Sequence, residues 1–317
     1  MKYAAKRLAT LLATMLLVSL LAFLAFELIS GDPAEIMLGT QATPERLAAL
    51  RAEMGLDQPL MVRCLQWLMG FFTGDLGTSY HYKQPVWELI APKMAVTLCL
   101  SAISFLLIIA VSIPLGLLSA GRSGGRGEGL RTAVNQLCMA VPAFFTGMLL
   151  SWVFGVALKW FTAGRFPDLR EDFWGAVQYL FFAAVAIAIP RIAMTVRMLR
   201  STVNSEMGKD YVRTAISRGN DRGAVLRRHV LKNAVVPVVA FLAQTLAEIL
   251  ASGVVVEQVF AIPGLGRLLV ASISNRDYPV VQVIVVLLAF WVVLAGTLAD
   301  LIQQRIDPRL RLGGDGE

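Results

Sequence analysis

Asp210-Tyr-Val-Arg-Thr-Ala-Ile-Ser-Arg-Gly219-Asn-Asp-Arg222 forms the middle of a polar island, Arg191 to Lys232, set between two long apolar stretches. The island's 42 residues carry ten Lys/Arg against three acids, Glu206, Asp210 and Asp221. Helical spacing puts Tyr211, Val212, Ala215 and Ile216 on one side of a helix that Gly219 interrupts, with Asn220 or Asp221 as the cap that restarts it. The expected local structure is a helix, an elbow and a second helix.

Outward from the island the chain is apolar. With 56% hydrophobic residues, 16% charged residues and a mean hydropathy of +0.65, it holds several stretches able to cross about 30 Å of hydrocarbon, which takes roughly 20 residues each. The expected fold is therefore all-α and polytopic. Six spans are placed near residues 9–29, 95–120, 133–160, 176–196, 233–256 and 280–302, with the prolines at 114, 142, 190 and 237 as kinks or boundaries. This divides the chain into a start and first span (1–30), an extracytoplasmic helical insertion (31–94), a membrane domain (95–305) containing the island 191–232, and a tail (306–317).

Orientation follows from the basic residues. A cytoplasmic N-terminus puts 19 of the 29 Lys/Arg inside and 10 outside, in line with the positive-inside bias, so both termini are expected in the cytoplasm. The island then marks where the protein meets a cytoplasmic partner. The first span has the basic start of a secretory signal but is too long for one and lacks a convincing small-residue cleavage site, so it reads as a retained anchor. The net charge of +7 is explained by an inner face that meets anionic lipid and a partner, and no nucleic-acid surface is needed.

Between the first two spans, Thr43 caps a helix through Leu56 with Pro44 in its first turn. Asp57-Gln-Pro59 introduces another through Phe72, and Gly74-Asp75-Leu76-Gly77 forms a turn. This segment is either an amphipathic cap on the membrane surface or a gate or docking surface for something delivering cargo from outside. Cys64, Cys99 and Cys138 are an odd number without paired spacing, and His81 and His229 fall on opposite sides, so no disulfide framework or metal site is expected.

The chain has no phosphate loop, no His-Glu-x-x-His pair and no Gly-x-Ser-x-Gly elbow, so catalysis by this chain is not expected. Glu27 and Asp300 lie near span ends, leaving Glu248 as the carboxylate well inside a helix. It either faces a translocation path or hydrogen-bonds across a helix interface beside Ala247, Ala251, Ser252 and Gly253. An ion-coupled secondary transporter should show more such charges and inverted repeats.

The island resembles the cytoplasmic loop of permease subunits of bacterial ABC importers, whose pattern is Glu-Ala-Ala, three residues, then Gly. Here the stretch is Arg213-Thr214-Ala215-Ile-Ser-Arg-Gly219, in which the second Ala and the Gly match. That departure is typical of the dipeptide, oligopeptide and nickel branch, which the chain resembles over roughly residues 3–311. The matching pieces include Ser30-Gly-Asp-Pro-Ala-Glu35, Gly55-Leu-Asp-Gln-Pro59, Gly74-Asp-Leu-Gly77, Arg228-His-Val-Leu-Lys-Asn-Ala234, Val259-Phe-Ala-Ile-Pro-Gly-Leu-Gly-Arg267, Arg276-Asp-Tyr-Pro-Val-Val-Gln282 and Asp307-Pro-Arg-Leu-Arg311.

The resemblance implies a type I importer permease that pairs with a second, homologous permease. Two ATP-binding subunits would carry ATP and magnesium, this chain would bind no cofactor of its own, and an extracytoplasmic binding protein would deliver cargo. On that reading Tyr211, Val212, Ala215 and Ile216 bear apolar contacts with an ATPase, and Arg218, Asp221 and Arg222 form the polar rim around the Gly219 elbow. Pro263, Gly264 and Gly266 belong to an outer gate, or else to a plain surface turn. The cargo is expected to be di- or oligopeptide, with nickel or a metal chelate as the alternative.

Overall fold

The computed structural model describes residues 2–29, 33–39, 42–121, 127–168 and 171–306. Ser30, Gly31 and Asp32 of the first matching piece, the basic residues Arg122 and Arg126, and the tail from Asp307 lie outside the described residues. The described chain is nearly all helix. Its elements are α1 (Lys2–Ile29), α2 (Pro33–Leu38), α3 (Pro44–Glu53), α4 (Leu60–Thr73), α5 (Val86–Gly121), α6 (Glu128–Ala140), α7 (Ala143–Leu150), α8 (Phe173–Met207), α9 (Asp210–Ser217), α10 (Arg222–Val225), α11 (Leu231–Val259), α12 (Leu265–Ser274) and α13 (Tyr278–Ile306). Two π-helical stretches, Ser151–Ala157 and Leu226–Val230, continue α7 and join α10 to α11.

Among the described residues, five helices are long and apolar enough to cross a membrane, and six spans result if α6 and α7 count as one. That pair covers the span expected at 133–160, with the break at Pro142, one of the prolines read as a kink or boundary. The axes of Glu128–Ala140 and Ala143–Ala157 differ by 95°. The cause is local: the ring of Pro142 drives the preceding Val141 out of the helical region, to φ −78° and ψ 122°. Pro190 and Pro237 instead sit inside α8 and α11, which run on through them.

The chain forms two compact units. One comprises Met1–Thr97 with Pro263–Val293, and the other Leu98–Ile262 with Leu294–Glu317. In the first, Val86, Leu89, Ile90, Leu265, Leu268, Val280, Val283 and Ile284 form an apolar core. The residues 86–94 expected in the insertion are thus the opening turns of α5, whose Val86 and Ile90 anchor that core. Thr43 caps α3 by accepting from Arg46 N at 3.4 Å, with Pro44 at the first helical position. Gly70 is required by close approach, because a Cβ there would lie 2.3 Å from the Asp75 carbonyl oxygen. Glu27 near the end of α1 accepts two bonds from Arg63 of α4, at 2.6 and 2.9 Å.

In the second unit α8 is central, packed against α6, α7 and α11. Its approach to α5 depends on Gly116, where a Cβ would meet Leu199 Cδ2 at 2.7 Å. α8 reaches Met207, eleven residues beyond the expected end of the fourth span at 196, so almost half of the polar island is the end of a long helix.

Candidate functional site

α8 stops at Gly208, and α9 begins two residues later with Asp210 in its first turn, where a carboxylate opposes the positive end of the helix dipole. Three polar groups fasten α9 in place. Glu206, the last acid of α8, accepts from the Lys209 ammonium and, at 2.8 Å, from the Tyr211 hydroxyl. Asn233 of α11 donates to the same hydroxyl at 3.4 Å. Burial raises the Tyr211 phenol above its ordinary pKa, and the Glu206 carboxylate pushes in the same direction. Neither Glu206 nor Asn233 was marked by the local pattern, because each acts through a partner on another helix.

The elbow is built as glycine allows. Gly219 has φ +84°, in the left-handed region that residues with a Cβ avoid, and its N–H donates to the Ile216 carbonyl at 2.9 Å. Asn220 Nδ2 donates to the Ala215 carbonyl at 3.0 Å, closing the end of α9 from outside. Asp221 is the cap of α10, accepting from Gly223 N at 2.9 Å. The expected second helix is only Arg222–Val225 before the chain merges through the π-helical stretch into α11.

The expected apolar face divides. Val212 is 1% exposed and packs inside this chain, so it is not available to a partner. Ile216 is 43% exposed and Tyr211 36%, with Ala215 half-buried. Arg218, Gly219, Asp221 and Arg222 are all exposed. The outward surface of α9 and the elbow thus carries Ile216 and Tyr211 together with the exposed charges of Asp210, Arg213, Arg218, Asp221 and Arg222.

Glu248 in α11 forms an ion pair with Arg191 of α8. Their side chains are 37% and 20% exposed. Arg191, counted above as the first charge of the polar island, is therefore a mid-helix residue with an intramolecular partner. Glu257, also in α11, is wholly buried, as is Asp277 at the start of α13. Both lie at a helix end, Glu257 among the last three residues of α11 and Asp277 just ahead of α13, whereas Glu248 is well inside its helix.

Pro263 and Gly264 lead into α12, and Gly266 lies in its first turn. Gly264 and Gly266 are buried, and Leu265 N donates to Thr97 Oγ1 at 2.8 Å. Beyond α12, Asp277 accepts from Ser79 Oγ at 2.5 Å and from Tyr80 N at 2.9 Å, tying this segment to the chain ahead of α5. Tyr80 is pushed up to about 12, first by burial and then by the carboxylates of Asp277 and Glu27, with Arg63 opposing. In the other unit a cavity of about 540 Å³ lies among Trp160, Arg165, Asp168, Glu171 and Tyr179.

Residues 112–312 match the family of binding-protein-dependent transport system inner membrane components, and residues 1–101 match the N-terminal family of such membrane components. A putative peptide transport system permease protein of Brucella abortus is 37% identical over 309 residues, covering 96% of this chain and 98% of that one. A probable peptide ABC transporter permease protein of Sinorhizobium fredii is 33% identical, covering 98% and 99%. The dipeptide transport system permease protein of Escherichia coli is also 33% identical, with 98% and 99% covered. The solved structure of an amino acid ABC transporter with histidines superposes with a TM-score of 0.53 at 15% identity, over 69% of this chain and 94% of that chain, a likeness of fold.

Proposed function

The chain belongs to the family of binding-protein-dependent transport system inner membrane components, and on that premise we propose that it is one of two permeases in an ATP-driven importer of short peptides. It is a permease component and a multi-pass protein of the bacterial inner membrane. The observation that carries the peptide reading is its end-to-end similarity to peptide and dipeptide permeases, over 96–98% of its length.

In this reading both termini and the α9 elbow face the cytoplasm, and the segment holding α2, α3 and α4 faces out, where a binding protein delivers cargo. Two ATPase subunits bind ATP and magnesium, and each seats a cytoplasmic elbow, one from this chain and one from the second permease. The elbow suits a lever. α9 is fastened to α8 by Glu206 and to α11 by Asn233, so a push on Ile216 and Arg218 would move the ends of two long helices rather than a loose loop.

The test is uptake by the complete complex, reconstituted with its partner permease, ATPases and binding protein, comparing labelled dipeptides with nickel in the presence and absence of a chelator. Dipeptide uptake with stimulated ATP hydrolysis is expected. Uptake of the metal chelate alone would move the chain to the nickel alternative.

A further inference from the structure

One line along α11 departs from what hydrocarbon tolerates. Asn233, Gln244, Glu248, Ala251, Val255 and Gln258 recur at spacings that keep them on one helix face. All are exposed on this chain except Glu248, which is partly so. Against lipid such a line is costly, and polar or ionisable groups in spanning helices turn toward a partner helix or a wet cavity. At its middle sits the Arg191–Glu248 pair, joining α8 to α11 with both side chains within reach from outside the chain.

We infer that this pair is a cargo subsite for the charged ends of a short peptide, with Glu248 taking the ammonium and Arg191 the carboxylate. The inference rests on the peptide reading given above. Every unblocked dipeptide carries those two charges whatever its side chains, so a site that reads them accepts many sequences. In the resting chain the two residues neutralise each other, and when cargo arrives one ion pair is exchanged for two. No step leaves a lone charge in a low-dielectric surrounding, the state that makes buried charges expensive. Arg191 offers a planar fork that matches a carboxylate at two points. Gln244 carries an amide that both donates and accepts, suited to a peptide main chain rather than to any one side chain.

The competing occupant of this face is the second permease, for which the pair would be a packing bridge. Exchanging the charges separates the two, because Arg191→Glu with Glu248→Arg keeps a bridge but reverses its polarity. In the complete reconstituted complex, supplied with equally loaded binding protein, dipeptide uptake by the exchanged variant is expected to fall at least tenfold at wild-type assembly yield. Wild-type uptake overturns the inference. Should the exchange prevent assembly, Glu248→Gln decides: the preference for a free over an N-acetylated dipeptide is expected to fall at least fivefold, and an unchanged preference overturns the subsite. A wild-type complex that imports a metal chelate and no peptide defeats the underlying peptide reading instead, a result visible before either variant is made.

Discussion

α1 and α11 pass the same test for crossing a membrane, with span hydropathies of 2.4 and 2.0, yet they present opposite faces. The exposed side of α1 is leucine after leucine: Leu12, Leu16, Leu17, Leu20 and Leu21. Its carboxylate, Glu27, waits near the end of the helix and is held by Arg63. The exposed line of α11 alternates amides, a carboxylate and small residues, and its ion pair lies along the helix rather than at its end. Mean hydropathy averages over the helix circumference, so it finds spans without saying which side of each meets lipid. The arrangement of residues around the helix carries that information, and here it divides a lipid face from a wet or partnered one.

The most direct way to break this comparison is to put the same charge on both faces. Leu16→Glu is expected to cost about 3 kcal/mol of insertion free energy, in the range found for ionisable groups at a helix centre. Gln244→Glu should cost well under 1 kcal/mol, because that position already holds a polar group on a face turned from lipid. The measurement is the membrane-inserted fraction of each variant beside the parent. Equal losses would mean that α11's line faces hydrocarbon and would remove the basis for the subsite.

The two ion pairs offer the next step. Arg63 holds Glu27 through two bonds within one compact unit, so Arg63→Met should lower the stability of the solubilised protein by about 2 kcal/mol, the scale of hydrogen bonds to charged groups. Peptide transport per assembled complex should stay within about twofold, since the bonds of that pair run between α1 and α4 and hold those two helices together. A stable protein with failed transport would place the Glu27 pair on the cargo's route and erase the distinction between the two pairs.

What could be read in advance was the chemistry that acts over three or four residues. The Thr43 cap, the proline after it, the positive φ of Gly219 and the Asp221 cap all depend on neighbours in sequence. The family was legible in the same way, from short pieces in the right order. Hidden were the features that need a second helix. Val212 and Ile216 share the apolar side of α9, but only packing decides that Val212 turns inward. The Glu206–Tyr211–Asn233 connection joins three helices, and Arg191 looks like a loop charge until Glu248, 57 positions away, claims it. Pro142 reads as a kink or a boundary from its residue type alone, but the 95° between α6 and Ala143–Ala157 depends on the conformation that Val141 takes before it.

Gly219 lies on neither face and so serves as the control for both. A Cβ there would meet no atom within 4 Å, so the penalty for replacing it is conformational and not steric. Gly219→Val should cost about 1–2 kcal/mol locally, as a β-branched residue forced to positive φ, whereas Gly219→Asn should be nearly neutral. The expected phenotype of the valine variant is normal insertion with ATP hydrolysis uncoupled from uptake, measured as peptide imported per ATP consumed. Loss of insertion would assign the elbow to folding of the α8–α11 unit instead, and normal coupling would remove it as the lever.

The smallest effect belongs to Tyr80, near the charged end of α1. Its phenol is held at about 12 because burial and the neighbouring Asp277 and Glu27 carboxylates favour the neutral form. A raised folded pKa means that the neutral form is the one the fold stabilises. That contribution is complete below the unfolded value of about 10 and fades as pH rises through about 12. Ultraviolet titration of the parent against Tyr80→Phe should therefore show one phenolate fewer in the uppermost step, with the curve unchanged around pH 10. Arg63→Met should move that step further up, because removing a nearby positive charge makes the phenolate harder to form. A step that stays in place would mean that the Glu27–Arg63 pair is too well screened to be felt there. The end of α1 would then be wetter than its leucine face implies.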